Sequence, residues 1–218
     1  MAAIKRVKQT GCNWTEVDVQ LTSDGIPVIF HDDMLERCTN GEGLLAETSF
    51  DVLKDLDAGR YFSEAFCGER VPELKALLAY AKESGLKLNI EIKTYPDTDV
   101  QRLCVAVSET IVRSDISLSQ LIFSSFNMDA LAACKELLPL VPRAVLFERV
   151  PDKWRDYLYL EPAFFNCDYR YLTKNIFDSV HGAGVKIQGY STENPEDVAQ
   201  LWEWGMMRLI TRSPQRFL

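Results

Sequence analysis

Apolar residues follow two alternating periods through most of the chain. From Pro72 onward, segments with a helical apolar period alternate with short runs of apolar and β-branched residues. This pattern predicts strands near residues 87, 120, 143, 163, 185 and 207, with a helix before each. Strands that alternate with helices are typical of a parallel sheet built from βα units. The expected fold class is therefore α/β.

The first third of the chain has a different layout. An amphipathic helix is expected over residues 1–10, a strand near residue 14, and a second apolar run over residues 26–30 after the turn signal Ser23-Asp24-Gly25. An insertion then occupies about residues 33–71, with a helical patch near residues 49–56. It is too long for an ordinary connection, and such loops commonly determine substrate specificity.

Composition narrows the class of protein. The chain has 218 residues, 47% of them hydrophobic, which suits a single domain over residues 1–218 with a large core. A net charge of −8 without a cluster of basic residues argues against nucleic-acid binding. It does not exclude a phosphate-bearing substrate, because a bound divalent cation reverses the local field.

Cysteine spacing and hydropathy indicate the cellular compartment in which the protein is expected. The six cysteines form no C-x-x-C pair, which favours reduced core residues in a reducing compartment. No apolar run reaches the roughly 18 residues that a membrane span requires, and the N-terminus shows no signal-peptide core. We expect a soluble, cytoplasmic protein.

Acidic residues cluster on two of the predicted strands. Glu16 and Asp18 lie two residues apart and so share one strand face, as do Glu91 and Lys93. Buried carboxylates on one face repel each other unless a cation neutralises them. Three carboxylates with water suit one divalent cation, Ca²⁺ or Mg²⁺, and a lysine ammonium suits a phosphate oxygen. His31, at the end of the second apolar run, adds acid–base chemistry.

Several neighbouring polar residues have simpler explanations. Asp32 and Asp33 are interpreted as a strand-end turn, with an outer shell of acids as the alternative. The cluster from Arg37 to Gly41 is interpreted as turn chemistry of the insertion. His181 ends a predicted helix just before a strand, which places it at the opposite end of a barrel from the acids.

A series of motifs runs along the whole chain. They are E-V-D-V-Q-L-T-S-D-G-I-P-V-I-F-H-D-D-M-L-E-R-C-T-N-G-E-G, then D-L-D-A-G-R-Y-F, V-P-E-L, N-I-E-I-K, F-S-S-F-N, and N-P-E-D followed by W-G and L-I-T-R-S-P. Together they resemble the glycerophosphodiester phosphodiesterase family. The resemblance implies a TIM (β/α)8 barrel with a small subdomain inserted after the second strand. It also implies metal-dependent hydrolysis of glycerophosphodiesters, in phospholipid and glycerol metabolism.

The resemblance also assigns roles by position. Glu16, Asp18 and Glu91 correspond to the metal ligands, and His31 to one of two catalytic histidines that act beside them. Lys93 corresponds to a contact with the substrate phosphate. Phe126 and Tyr190 are candidates for lining the glycerol pocket.

One feature of the family is missing from the sequence. Members begin with a strand that ends in an H-R-G motif and supplies the other catalytic histidine. Here the main predicted strands number seven, and the first strand is apparently absent. We expect its place to be taken by a partner chain, as in a homo-oligomer, by a rearranged N-terminus or by upstream residues. Two alternatives stay open: a barrel that binds metal or phosphodiester without efficient turnover, and another divalent-metal barrel such as a sugar-phosphate isomerase.

Overall fold

The computed structural model describes all 218 residues. Seven α-helices alternate with the strands and with several short 3₁₀ turns. The helices are α1 (Ala2–Gln9), α2 (Phe50–Leu53), α3 (Leu74–Ser84), α4 (Val100–Ser114), α5 (Met128–Leu137), α6 (Lys174–His181) and α7 (Ala199–Glu203). None of the seven helices combines the length and the hydropathy that a membrane-spanning segment requires.

Eight strands form one sheet. They are β1 (Trp14–Leu21), β2 (Pro27–Ile29), β3 (Lys87–Ile92), β4 (Leu121–Ser125), β5 (Arg143–Phe147), β6 (Phe164–Asp168), β7 (Lys186–Tyr190) and β8 (Arg208–Ile210). The spatial order is β2-β1-β3-β4-β5-β6-β7-β8. Every pair from β1 through β3 to β8 is parallel, as expected for consecutive βα units.

The second strand joins the sheet in the opposite direction. β2 pairs antiparallel with the last residues of β1, matching Val19 with Ile29 and Leu21 with Pro27. Gly25 makes the reversal between them with a φ of +84°, a conformation that glycine adopts without steric cost. The hairpin brings the chain back to the carboxyl end of β1, so the residues that follow β2 lie beside the predicted acidic pair.

Side chains alternate between two environments along each strand. One set packs against the surrounding helices and forms the main core; it includes Val19, Ile90, Phe123, Phe165 and Ile187. The other set points to the concave side of the sheet, where a separate small cluster of Ile122, Ala144 and Phe164 packs with Trp14. The alternation follows from the two-residue period of a strand. It carries polar residues at alternate positions into the interior of the curved sheet.

The curved sheet is not closed by backbone pairing. No ladder joins β8 to β1, although the Arg208 guanidinium lies 4.1 Å from the centre of the Trp14 ring. Buried interior atoms lack hydrogen-bond partners: both side-chain polar atoms of Asn89 and Asn166, Ser124 Oγ, Gln188 Nε2 and Arg208 Nη1. A closed barrel normally fills its centre with packed side chains. The interior here is polar and incompletely partnered.

The insertion has a small core of its own. Leu35, Leu45, Leu53 and Val71 are buried together with Val28 and Phe30 of the hairpin. The Glu69 carboxylate accepts hydrogen bonds from the terminal amine and from the backbone N–H of Ala2. The insertion is therefore a packed subdomain, tied to the barrel through β2 and the start of α1.

Architecture and element order confirm the α/β TIM-barrel prediction, including seven parallel strands and an insertion after the hairpin. The helix expected before β6 is instead a 3₁₀ segment, Trp154–Leu160. The carbonyl of its last residue, Leu160, and that of the following Glu161 accept hydrogen bonds from the buried Arg143 guanidinium. Glu161, at a φ of +49°, then ends the segment.

Candidate active site

The register between β1 and β3 builds the acidic cluster. Asp18 lies directly opposite Glu91, and Glu16 lies opposite Asn89, in a parallel ladder. All of these side chains point to the interior because residues two apart share a strand face. One ligand oxygen from each of Glu16, Asp18 and Glu91 lies within 4.8 Å of the others. The structure thus brings together the three carboxylates that the sequence singled out.

The electrostatics of this cluster are unfavourable without a cation. Burial, followed by repulsion from Asp18 and Glu91, raises the pKa of Glu16 well above its usual value. Burial is also the main cause of the raised pKa of Glu91, with repulsion from Asp18 second and attraction to Lys93 opposing both. Glu16 Oε1 and Asp18 Oδ1 are buried without a hydrogen-bond partner. These oxygens are available to a ligand.

Lys93 supplies the only ammonium in contact with these acids. Its Nζ donates to Glu91 Oε1 at 3.0 Å and lies 3.3 Å from Asp18 Oδ1, there without hydrogen-bond geometry. Burial lowers the pKa of Lys93, but attraction to Glu91 and Asp18 outweighs burial, so the net pKa is raised. A single positive charge leaves the cluster short of neutrality.

The donor set fits a hard divalent cation. Carboxylate oxygens are the ligands that Ca²⁺ and Mg²⁺ prefer, and both ions accept waters at their remaining positions. The structural observation that supports such an ion is that Glu16 Oε1 and Asp18 Oδ1 are buried without a hydrogen-bond partner, in a group of three carboxylates within 4.8 Å of one another. Glu16, Asp18 and Glu91 would hold it, with Lys93 at one side.

His31 follows β2 and reaches the same end of the sheet. Its Nε2 lies 3.3 Å from Lys93 Nζ, and its Nδ1 lies 2.7 Å from Asp32 Oδ1. Arg37 donates to the same carboxylate through Nη2 at 2.6 Å to Oδ1, and through Nε to Oδ2. Chiefly because of the Arg37 hydrogen bonds, the pKa of Asp32 falls to about 2.

The backbone of His31 is also held. Tyr95 Oη donates to the His31 carbonyl at 2.7 Å. The buried amide of Gln20 donates to the carbonyls of Phe30 and Asp32, both at 2.8 Å. These bonds fix the chain that enters the insertion against β1 and against the segment after β3.

Two aromatic candidates meet at the same rim. Phe126 follows β4 and Tyr190 ends β7, and their rings meet edge-on with centroids 6.3 Å apart. Tyr190 Oη donates to the Phe147 carbonyl at 3.0 Å, whereas the Phe126 side chain is exposed. The structure therefore brings these residues together, with Phe126 as the accessible member.

Asp32 and Arg37 form a pair beside His31 that the expected turn chemistry does not include. Arg37 does not serve the turn chemistry expected of its cluster, since its guanidinium holds Asp32. Thr39 and Asn40 do serve that chemistry, by accepting from the backbone N–H groups of Gly41 and Asp57. A histidine followed by an acid, with an arginine five residues later, was the available signal. It is weak, because the spacing matches no regular element.

His181 lies away from this site, as expected. It ends α6 just before β7, and its ring packs edge-on against Phe177 at 5.6 Å. Strands begin at that end of the sheet, whereas the acidic cluster lies where they finish. The chain has two histidines, so His31 is the imidazole of the site.

Comparison with known proteins agrees with this geometry. The sequence profile of the Glycerophosphoryl diester phosphodiesterase family matches residues 1–216. A glycerophosphodiester phosphodiesterase of Caldanaerobacter subterraneus subsp. tengcongensis is 30% identical, over all of this chain and 89% of that protein. A similar solved structure is an Oleispira antarctica phosphodiesterase in complex with the product sn-glycerol-3-phosphate. It has a TM-score of 0.93 and 30% identity, covering 99% of this chain and 87% of that one.

A further structure shows the fold alone. A glycerophosphodiester phosphodiesterase from Agrobacterium tumefaciens superimposes with a TM-score of 0.77 at 21% identity, covering 99% of this chain and 89% of that chain. The profile match, the two relatives at 30% identity and the acidic cluster beside His31 lead to one assignment. This chain belongs to the glycerophosphoryl diester phosphodiesterase family.

Proposed function

We propose that the chain hydrolyses glycerophosphodiesters, such as glycerophosphocholine or glycerophosphoethanolamine, to glycerol 3-phosphate and an alcohol. The reaction depends on one divalent cation, Ca²⁺ or Mg²⁺, and serves phospholipid and glycerol metabolism. The observation that carries the proposal is the meeting of Glu16, Asp18 and Glu91 within 4.8 Å, with two orphaned oxygens, in a chain of this family. The product bound to the Oleispira antarctica relative agrees with it.

Each residue of the site has a proposed role that follows from its chemistry. Glu16, Asp18 and Glu91 would hold the cation, which would supply positive charge to the phosphoryl oxygens. Lys93 places an ammonium beside the same oxygens. His31 accepts the proton of the attacking hydroxyl group at Nε2, the nitrogen that faces Lys93 Nζ. Phe126 and Tyr190 offer an apolar rim for the glycerol or alcohol part of the substrate.

The first test is release of glycerol 3-phosphate from glycerophosphocholine with Ca²⁺, with Mg²⁺ and with a chelator. We expect turnover that requires a cation and falls at least about 100-fold in His31→Ala, because one general acid or base typically contributes 10²–10⁴-fold. His181→Ala is the matched control and should keep full activity. Activity that survives both chelation and His31→Ala would contradict the proposal. A version extended upstream by the family's first strand and H-R-G motif belongs in the same assay.

A second candidate function has its own observation. The structure places one imidazole in the site, whereas protonating the leaving alcohol calls for a second acid. No ladder joins β8 to β1, and the interior amides of Asn89 and Asn166 lack hydrogen-bond partners. In this second candidate function, the chain binds the cation and the diester but hydrolyses the diester only slowly. Calorimetry that shows cation and glycerophosphocholine binding, together with product release only in the extended form, would identify it.

A further inference from the structure

We propose that Asp32 and Arg37 are positioning residues that hold the His31 ring in one orientation and in one tautomer. The inference rests on the proposed function, in which His31 Nε2 accepts a proton. Asp32 acts directly on the imidazole, and Arg37 acts through Asp32. Neither residue touches the acidic cluster, and their part in the reaction is separate from that of the metal ligands.

Packing does not orient this histidine. The His31 side chain is 58% exposed, so few neighbours restrict its rotation. Its backbone is fixed by Tyr95 and Gln20, but those bonds leave the side-chain torsions free. The 2.7 Å contact between Nδ1 and Asp32 Oδ1 is therefore the interaction that selects an orientation. An exposed catalytic ring without such a contact would spend much of its time turned away from the substrate.

The chemistry of the two neighbours selects the tautomer. Asp32 is ionised at neutral pH, because its pKa is about 2, and an ionised carboxylate only accepts hydrogen bonds. Nδ1 must therefore carry the proton of the neutral ring. On the other side, Nε2 lies 3.3 Å from Lys93 Nζ, which only donates. Both neighbours favour the same neutral tautomer, with the lone pair of Nε2 directed toward Lys93 Nζ.

Arg37 makes the carboxylate a fixed partner. Its Nη2 donates to Asp32 Oδ1, and its Nε donates to Oδ2, in a two-point arrangement that a lysine cannot reproduce. This fork keeps Oδ1 directed at His31 Nδ1. Because Arg37 belongs to the insertion, the subdomain contributes to the geometry of the reacting group.

Imidazole ¹⁵N NMR tests the tautomer without requiring turnover. The chain contains two histidines, so ring labelling gives two sets of signals, which His181→Gln assigns. We expect His31 to show a protonated Nδ1 and an unprotonated Nε2 in the neutral form. In Asp32→Asn the amide group can either accept from Nδ1 or donate to it, so we expect a mixture of tautomers. Asp33→Asn, which removes a neighbouring carboxylate with no side-chain partner, is the matched control and should leave the signals unchanged.

Kinetics provide the second readout. Asp32→Asn and Arg37→Gln should lower kcat by about 10–100-fold, by analogy with the loss of partners that orient metal-ligating histidines, with KM changed less than about threefold. Asp32→Glu should have a higher kcat than Asp32→Asn. Arg37→Lys should recover less of the kcat that Arg37→Gln loses, because a lysine cannot donate to both oxygens of Asp32 in the same geometry. Thermal unfolding of each variant establishes that the fold is intact. Arg37→Gln keeps the test decisive if Asp32→Asn unfolds.

The outcomes are distinguishable. If Asp32→Asn leaves both the His31 ring signals and kcat unchanged, Asp32 and Arg37 are an ordinary surface ion pair and the inference is wrong. If the unsubstituted chain fails to turn over the diester, the proposed function fails, but the ring signals still decide the positioning of His31. Equal losses of kcat in Asp33→Asn and Asp32→Asn would also contradict the positioning role of Asp32.

Discussion

Asp18 and Glu91 stand directly opposite each other in the parallel ladder between β1 and β3, with both carboxylates directed to the barrel interior. Backbone register, rather than side-chain flexibility, creates this pair. A register slip of one residue would turn one of them toward the helices, where the core residues Val19 and Ile90 now lie. The energy of the surrounding core therefore holds two like charges together, which is unfavourable unless a cation is present.

Cation binding should stabilise the protein measurably. At a cation concentration about 100 times the dissociation constant, the gain is about 2.7 kcal/mol, which for a domain of this size raises Tm by about 5–10 °C. Glu91→Gln should abolish most of that shift and, because it relieves repulsion, should also raise Tm without cation. Differential scanning with Ca²⁺, Mg²⁺ or chelator measures both effects.

Glu83→Gln is the control for this experiment, because Glu83 is an exposed acid on α3, outside the cluster. Its Tm shift with cation should match that of the unsubstituted chain. Loss of the shift in Glu83→Gln, or full retention of it in Glu91→Gln, would show that the cation binds elsewhere.

Removing the ammonium of Lys93 should have the opposite effect on the cation-free protein. Lys93→Met keeps the aliphatic stem but leaves three carboxylates without their positive neighbour, which we expect to cost about 3 kcal/mol of unfolding free energy. A saturating cation should recover much of this loss. Urea unfolding with and without Mg²⁺ measures it. Lys82→Met, which removes an exposed pair with Asp115, should change stability by less than about 1 kcal/mol.

Acid should weaken the Asp32–Arg37 pair in a defined pH window. The pKa of Asp32 is about 2 in the folded chain, against an ordinary value of 3.8. Between these values the unfolded state binds more protons, so stability falls as the pH falls. The stabilisation by Asp32 is fully present above pH 4 and is lost toward pH 2. The unfolding free energies of Asp32→Asn and of the unsubstituted chain, measured by urea titration, should differ by about 1 kcal/mol at pH 6 and converge near pH 2. A difference that persists at pH 2 would contradict this.

Phe126 should affect the substrate and not the cation. Its side chain is 49% exposed, so Phe126→Ala should cost little stability. We expect KM for glycerophosphocholine to rise about 3–10-fold, which corresponds to roughly 1 kcal/mol of lost contact. Phe62→Ala, which truncates an exposed ring of the insertion, is the matched control. Equal changes in KM for both variants would show that Phe126 does not contact the substrate.

Periodicity was sufficient to predict the barrel strands and most helices, because apolar spacing reports which face of each element is buried. The acidic cluster could also be predicted from the sequence. Glu16 and Asp18 share a face by the two-residue period, and parallel strands bring their carboxyl ends to one edge, where Glu91 joins them. These features follow from short-range geometry together with the class of fold.

Other features depended on contacts that no local period encodes. Arg37 reaches Asp32 through an irregular loop at the start of the insertion, so a turn was the simpler interpretation. The 3₁₀ segment Trp154–Leu160 depends on Arg143, a buried residue of the preceding strand. The side-chain amides of Asn89 and Asn166 are buried without hydrogen-bond partners, which no local sequence pattern predicts. Tertiary structure decides each of these, and propensity does not.

The absence of a ladder between β8 and β1 has a consequence for folding. No backbone pairing joins the two ends of the sheet, so each βα unit from β3 to β8 pairs with its sequence neighbours, as in a stacked repeat. The exception is the junction of residues 14–19 with residues 87–92, which encloses the entire insertion. Closing a longer loop costs more entropy and slows contact formation. We therefore expect this junction to form late, and Asp18 and Glu91, which lie on its two sides, to meet only near the end of folding.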